Sequence, residues 1–278
     1  MHVETVSLYL YTILPDTLKK KRNNYTSTVR VYLFFISNLI FMISSKTSDD
    51  NQGLVISYLT LRKAVGILGM ALPFVLFFGY FLFGKGCTFP PSISHFYYTD
   101  LGNCFVGTLC AVSLFLFSYN GHDNGDKVAA KIAGFFALLV AMFPTNFDTY
   151  ANMGCSRIVD GDNPVANVLH YVSATLLFST FAFFSLVQFT KTDKSGPVAG
   201  PKKIRNFIYK LCGWVIVVCV IGIAVTSFIP ASLYDKIKSL KPIFVLETIA
   251  LLAFGFSWLI KGETFFRDKQ KPQNETKE

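Results

Sequence analysis

Charged side chains are scarce in this sequence: Asp, Glu, Lys and Arg make up 15% of its 278 residues, where a soluble domain carries about 25%. That excludes a soluble globule, which could not coat its surface with so few polar groups. It also excludes a disordered chain and a coiled coil, both of which need more charge. Histidine is scarcer still, with four in the chain. Zinc takes three or more protein ligands, and no Cys-x-x-Cys or Cys/His cluster stands at metal-binding spacing. No repeat of fixed period is present, and the connecting segments are too short for a second globular domain. The net charge is +9, yet the basic residues do not lie on an amphipathic helix interleaved with aromatics. The footprint of a nucleic-acid reader is therefore missing, and nucleic acid is not an expected partner.

What is present is apolar: 52% of residues belong to the AVILMFWYC set, and the mean hydropathy is +0.44. The apolar residues gather into six blocks, at about 64–84, 101–119, 128–144, 165–190, 207–230 and 243–260. Each approaches the ~20 residues that a helix needs to cross a bilayer. The third is the shortest, and Lys131 within it can snorkel to the interface. Pro73 inside the first is tolerated in a membrane helix and predicts a kink. The expected fold is all-α: a polytopic six-helix transmembrane bundle over residues 61–262, with an N-terminal extension (1–60) and a cytoplasmic tail (263–278).

Orientation follows from Lys and Arg on alternating sides of the six blocks, fifteen on one side and five on the other. The richer side holds Arg62, Lys63, Lys127, Lys131, the basic residues of 191–210 and the tail, and positive charge marks it as cytoplasmic. Both ends of the core then face inward, and segments 92–100, 146–163 and 231–241 face outward. A bacterial inner (plasma) membrane is the expected location. In the extension, Lys19, Lys20, Lys21 and Arg22 precede a 15-residue apolar run, 31–45. It lies too far from the N-terminus for a signal peptide, and spanning would put the basic cluster outside. An interfacial or disordered extension is expected instead, and translation from Met42 is an alternative. Cys104, Cys110, Cys212 and Cys219 read as small apolar packers. Cys87 and Cys155 both fall in outward loops, as a disulfide or as two unrelated thiols.

Polar residues at membrane depth are candidates for function. Glu247 lies about one turn inside the sixth block, and His170 stands at the same depth in the fourth, sharing a face with Asn167 and Ala174. Before the second block runs Pro91-Ser-Ile-Ser-His-Phe-Tyr-Tyr-Thr-Asp, with Asp100 placed to complement a helix dipole and His95, Tyr97 and Tyr98 at the interface. Asn103 is one turn deeper. Asp148, Asp160 and Asp162 add carboxylates on the same side. Asp160-Gly-Asp-Asn-Pro lacks calcium-loop spacing and reads as a turn with Asn163 as N-cap and Pro164 at the first helical position. The expectation is a polar pocket beneath the outer face in which Asn103, His170 and Glu247 converge, with Asp100, Tyr97, Tyr98 and Asp148 around its mouth. Each of these residues also has a plain structural reading, as a cap, a belt aromatic or an interhelical hydrogen bond.

Taken together, Pro-Ser-Ile-Ser before helix two, Phe105-Val-Gly, Phe143-Pro-Thr, Leu169-His-Tyr, Glu247 and Ala253-Phe-Gly-Phe-Ser-Trp-Leu-Ile-Lys-Gly resemble a group of uncharacterised bacterial six-helix membrane proteins. The layout is similar to that of the DRAM/Sfk-type membrane proteins of eukaryotes, some of which are linked to lipid remodelling or autophagy. The resemblance covers about residues 60–262 and implies architecture, with no catalytic residues to carry over. Two functions are expected as rivals. One is a non-enzymatic binder or accessory protein for membrane lipid or a small amphiphile, with no cofactor. The other is a metal-dependent membrane hydrolase acting on a lipid through His95, Asp100 and His170, comparable to ceramidase-like and adiponectin-receptor-like hydrolases. A transporter is a third possibility, without the paired broken helices of an inverted repeat.

Overall fold

The computed structural model describes residues 51–83, 88–121, 123–146, 163–191 and 200–263. The 31–45 run, Cys87, Cys155, Asp148, Asp160, Asp162 and the tail beyond residue 263 lie outside them. The chain divides into two units between Gly53 and Leu54, and the second, Leu54–Glu278, holds all six apolar blocks.

A backbone without water must close its N–H and C=O groups on itself, and a helix does so within one segment. Each of the six apolar blocks accordingly falls in an α-helix: α1 (Asn51–Phe83), α2 (Gly102–Ser118), α3 (Asn124–Met142), α4 (Pro164–Phe183), α5 (Pro201–Thr226) and, after a short α6 (Ala231–Ile237), α7 (Pro242–Lys261). A π-helical turn, Phe184–Gln188, extends α4. No strand occurs among the described residues, so the class is all-α. Four stretches are long and apolar enough to cross a membrane: Leu59–Leu82, Pro164–Gln188, Lys202–Thr226 and Pro242–Lys261. The six crossings expected from sequence are thus met by length and composition in four. Helix α2 is apolar but has 17 residues, about 25 Å at the helical rise, and α3 opens on Asp126 and Lys127.

Helix starts follow the capping chemistry in the sequence. Asn163 caps α4, its Oδ1 accepting the N–H groups of Val165 (3.1 Å) and Ala166 (3.3 Å), with Pro164 in the first turn. Asp123 caps α3 by accepting Asp126 N–H at 2.7 Å and also takes Lys191 Nζ at 2.6 Å. That lysine contact, then the backbone N–H, holds the Asp123 carboxyl below its ordinary range. Asp100 is an exposed turn residue ahead of Leu101, and Leu101, which immediately precedes α2, has no capping side chain of its own. Pro73 stands inside α1, where it has no N–H to give the carbonyl of Gly69 four residues earlier.

In sequence order α2 packs on α3, α3 on α4 and α4 on α5, while α7 lies against α5. Small residues decide how closely. Helix α3 buries Ala129, Ala130, Ala133, Ala137 and Ala141, and Ser113 of α2 donates to the Gly134 carbonyl at 2.7 Å. The α1–α7 contact is tighter: a Cβ on Gly255 would stand 2.5 Å from the Gly66 carbonyl and 2.3 Å from Met70 Cγ. Close backbone approach through glycine is a recurrent way for helices to associate where lipid removes the hydrophobic drive. Aromatics fill the interior: Phe181 of α4 stacks on Phe254 of α7 at 3.6 Å, and Trp258 is fully buried among Tyr119, Phe184 and Phe189. Beside Trp258, the buried Arg62 donates to Tyr119 Oη at 3.0 and 2.8 Å and to the Lys261 carbonyl at 3.2 Å.

Because backbone cannot move aside as a side chain can, Gly255→Ala should lower stability by about 1–3 kcal/mol, the usual cost of overpacking. Gly222→Ala should cost far less, since its Cβ would meet Leu246 Cδ1, the end of a flexible side chain, at 3.1 Å. Melting temperatures of the two variants in detergent compare them directly.

Candidate functional site

Between α1 and α2 the chain leaves helical geometry, and residues 91–98, ending in a 3₁₀ turn at Ser94–Tyr98, plug one end of the bundle. Ser92, Ile93, His95, Phe96 and Tyr98 are all buried. Backbone buried outside a helix must find other partners, and α7 provides two. Phe244 N–H donates to the Pro91 carbonyl at 3.1 Å, and the Glu247 carboxylate accepts Ile93 N–H at 2.6 Å. Tyr98 Oη donates to the Thr145 carbonyl, tying the plug to the end of α3, and Thr145 Oγ1 in turn donates to Tyr171 Oη at 3.2 Å. Gly102 makes the sharp return into α2 possible, since a Cβ there would stand 2.3 Å from the Tyr97 carbonyl.

Two imidazoles are buried at this end. His170 Nδ1 donates to the Phe143 carbonyl at 2.7 Å; a carbonyl only accepts, so the proton is on Nδ1. His95 Nδ1 is 2.6 Å from Ser92 Oγ, which also accepts His95 N–H at 3.3 Å. Burial pulls the His95 imidazole down to about 4, and the positive forms of His170 and Lys241 push it the same way. Lys241 begins α7 in a left-handed conformation (φ 49°), and burial lowers its ammonium too.

Beneath the plug lies a cavity of about 50 Å³, bounded by α1, α2, α3, α4 and α7. Of its seventeen lining residues only Glu247 is ionisable; Ser94 and Thr108 add hydroxyls, and the others are apolar. The candidates sort accordingly. Glu247 lines the cavity, while Asn103 and His170 do not. Hydrogen bonds take His170 and Glu247 to different backbone groups rather than to each other. Tyr98 is buried, Tyr97 is half-buried with its ring 5.3 Å from that of Tyr98, and Asn103 is half-buried. Asp100 is exposed, and Asp148 lies outside the described residues. Among the described residues no three His, Cys, Asp or Glu side chains gather closely enough to hold a metal ion; His95, Asp100 and His170 are not brought together as a ligand set. Ile93 and Thr145 escape sequence reasoning because each contributes a backbone group, which no residue letter specifies. The Ser92–His95 pair could have been found as a serine three residues before a histidine in a turn.

His95 stays neutral in the folded protein but is free to protonate when unfolded, so the native state binds fewer protons below pH 6.5. Stability is then complete above about 6.5 and falls as the pH drops toward about 4, by roughly 3 kcal/mol at 1.36 kcal/mol per unit. Thermal melts across this window should show a shallower acid slope for His95→Asn than for the native chain; equal slopes would mean that His95 does not titrate in the fold.

Comparison with known proteins finds no matching family model, no matching curated protein and no matching solved structure, so geometry alone carries what the site can do.

Proposed function

We propose that the chain is a multi-pass membrane protein that binds a small amphiphile, a lipid or a lipid-like molecule, in the cavity under its plug, as a non-catalytic binder or accessory protein. The cavity carries this reading. Ligand sites are mostly apolar hollows with a few polar groups that fix orientation, and here an apolar hollow has one carboxylate at its plugged end. An amphiphile matches that division of chemistry, with its head toward Glu247 and its tail among Leu72, Leu109, Leu177 and Phe181.

The membrane topology we infer is six crossings, with the plug facing outward and both core ends in the cytoplasm of a bacterial inner membrane, the layout of DRAM/Sfk-type proteins. Two short helices fit this. In the case of α2, the largely buried 92–98 segment that leads into it can add to the depth of its 17 residues. In α3 the charged residues Asp126, Lys127 and Lys131 fall within the first two turns, where a helix can meet the interface and Lys131 can snorkel. The bias of Lys and Arg supports the orientation.

In a background without native cysteines, single cysteines at Lys202 and Ser232 should react with impermeant thiol reagents from opposite sides of the membrane; reaction from the same side overturns the topology. A photoactivatable alkyl probe should form adducts on Leu177 and Phe181 in the membrane-embedded protein. Ala174→Phe, which fills the cavity from α4, should remove most of that labelling, and undiminished labelling would sink the binding reading.

A further inference from the structure

The polar groups around the cavity are all acceptors or groups able to accept. Glu247 Oε2 is occupied by Ile93 N–H at 2.6 Å, and its other oxygen makes no hydrogen bond among the described residues. The Ser94 and Thr108 hydroxyls, also on the cavity wall, likewise make none there. Gly69 lines the same wall, and Pro73 withholds the helical donor from its carbonyl. No lining side chain is a cation or an amide donor. A carboxylate facing an apolar hollow is best matched by a donor, and above all by a positive one. The protein provides one carboxylate and two hydroxyls here and leaves the cationic donor to something else.

We propose that the cavity is a site for a primary ammonium group on a slim, unbranched alkyl tail, with the head on Glu247 and the tail running down between α2, α4 and α7. The inference rests on the amphiphile-binding function proposed above and names its head group. An ammonium has three N–H donors and no acceptor, which matches a wall holding Glu247, Ser94 and Thr108. A carboxylate or phosphate head would meet Glu247 with like charge and find only the two neutral hydroxyls of Ser94 and Thr108 as donors. A quaternary ammonium has no N–H to give and is too wide. The cavity's size limits the tail. A water needs about 10–15 Å³ of such volume, so 50 Å³ takes the head and the first few carbons, with Phe178 and Phe181 along the tail's path.

The test uses the full-length protein in a non-ionic detergent at neutral pH, where an alkylamine is cationic. Binding of n-hexylamine, n-hexanol and hexanoate is measured by calorimetry and by melting temperature, on the native chain, Glu247→Gln, Thr108→Val and Ala174→Phe. Hexylamine is expected to bind at least tenfold more tightly than hexanol, and hexanoate to give no signal. Glu247→Gln keeps a carbonyl oxygen for Ile93 N–H and should weaken the amine tenfold or more while leaving hexanol unchanged. Thr108→Val keeps the shape and should weaken the amine a few-fold, which tests the site even if Glu247→Gln fails to fold. Lengthening the amine from propyl should tighten binding about fourfold per methylene until the cavity is full. Equal binding of hexylamine and hexanol, both abolished by Ala174→Phe, would overturn the ammonium assignment and leave the cavity reading standing. Binding of every probe unaffected by Ala174→Phe would overturn both.

Discussion

A single backbone N–H, that of Ile93, has to be satisfied where water does not reach, and Glu247 satisfies it. Residues 91–98 leave the helix, so the i to i−4 bonds that protect backbone in an apolar surrounding are lost there. The segment compensates locally and at a distance. Phe96 N–H returns to the Ile93 carbonyl, and the Phe96 carbonyl takes both the N–H and the hydroxyl of Thr99. The first turn of α7, which like any helix start has N–H groups without partners, gives one of them to Pro91. With these groups settled, the segment can carry Phe96 and Tyr98 inward, roof a cavity and bury two imidazoles. Remove the Glu247 bond and the roof loses the tie nearest to the hollow.

The opposite end is organised by a charge of the other sign. Arg62 is buried, and its guanidinium donates to a phenol and to the carbonyl of Lys261 at the C-terminus of α7. Helix C-termini present carbonyls without partners and favour positive charge, so α7 is held at its last turn by a cation and near its first by the bonds of Phe244 and Glu247 to the plug. Trp258 and Tyr119 pack beside the guanidinium, in keeping with the affinity of Arg for aromatic faces. The helix that lines the cavity with Glu247, Leu251 and Phe254 is therefore fixed at both ends.

The hydropathy of the chain revealed the helices well, because an apolar run of membrane length has few alternatives to a helix. All six blocks lie in helices, and the Asn163–Pro164 start of α4 was legible from capping preferences. The number of crossings was less legible, since Asp126 and Lys127 in α3 and the shortness of α2 are matters of degree. In the site, sequence could find that Glu247 and His170 stand at matched depth, but not which way each turns about its helix axis. Their partners turned out to be the backbone of Ile93 and Phe143. Asp100 stands in the turn that leads into α2, as a helix-start residue would, but the tight return at Gly102 was not legible, since it depends on the approach of the Tyr97 backbone. Arg62 looked like one more topological charge, since its burial depends on Tyr119 and Lys261, residues 57 and 199 positions away.

The meeting of Gly66 with Gly255 has a mechanical side. Where side chains separate two helices, the helices can slide by changing rotamers; where backbone rests on backbone, there is nothing to compress, and the contact acts as a fulcrum. It lies below the cavity, one turn along α1 from Arg62. From Gly66 to the end of α1 at Phe83 is about 25 Å of helix, so a tilt of ~5° about that point would move the far end by ~2 Å, while hardly displacing Arg62. With that leverage, a small rocking of α1 on α7 would widen the hollow beside Gly69 and Leu72 while leaving the guanidinium that anchors the helix beneath nearly in place.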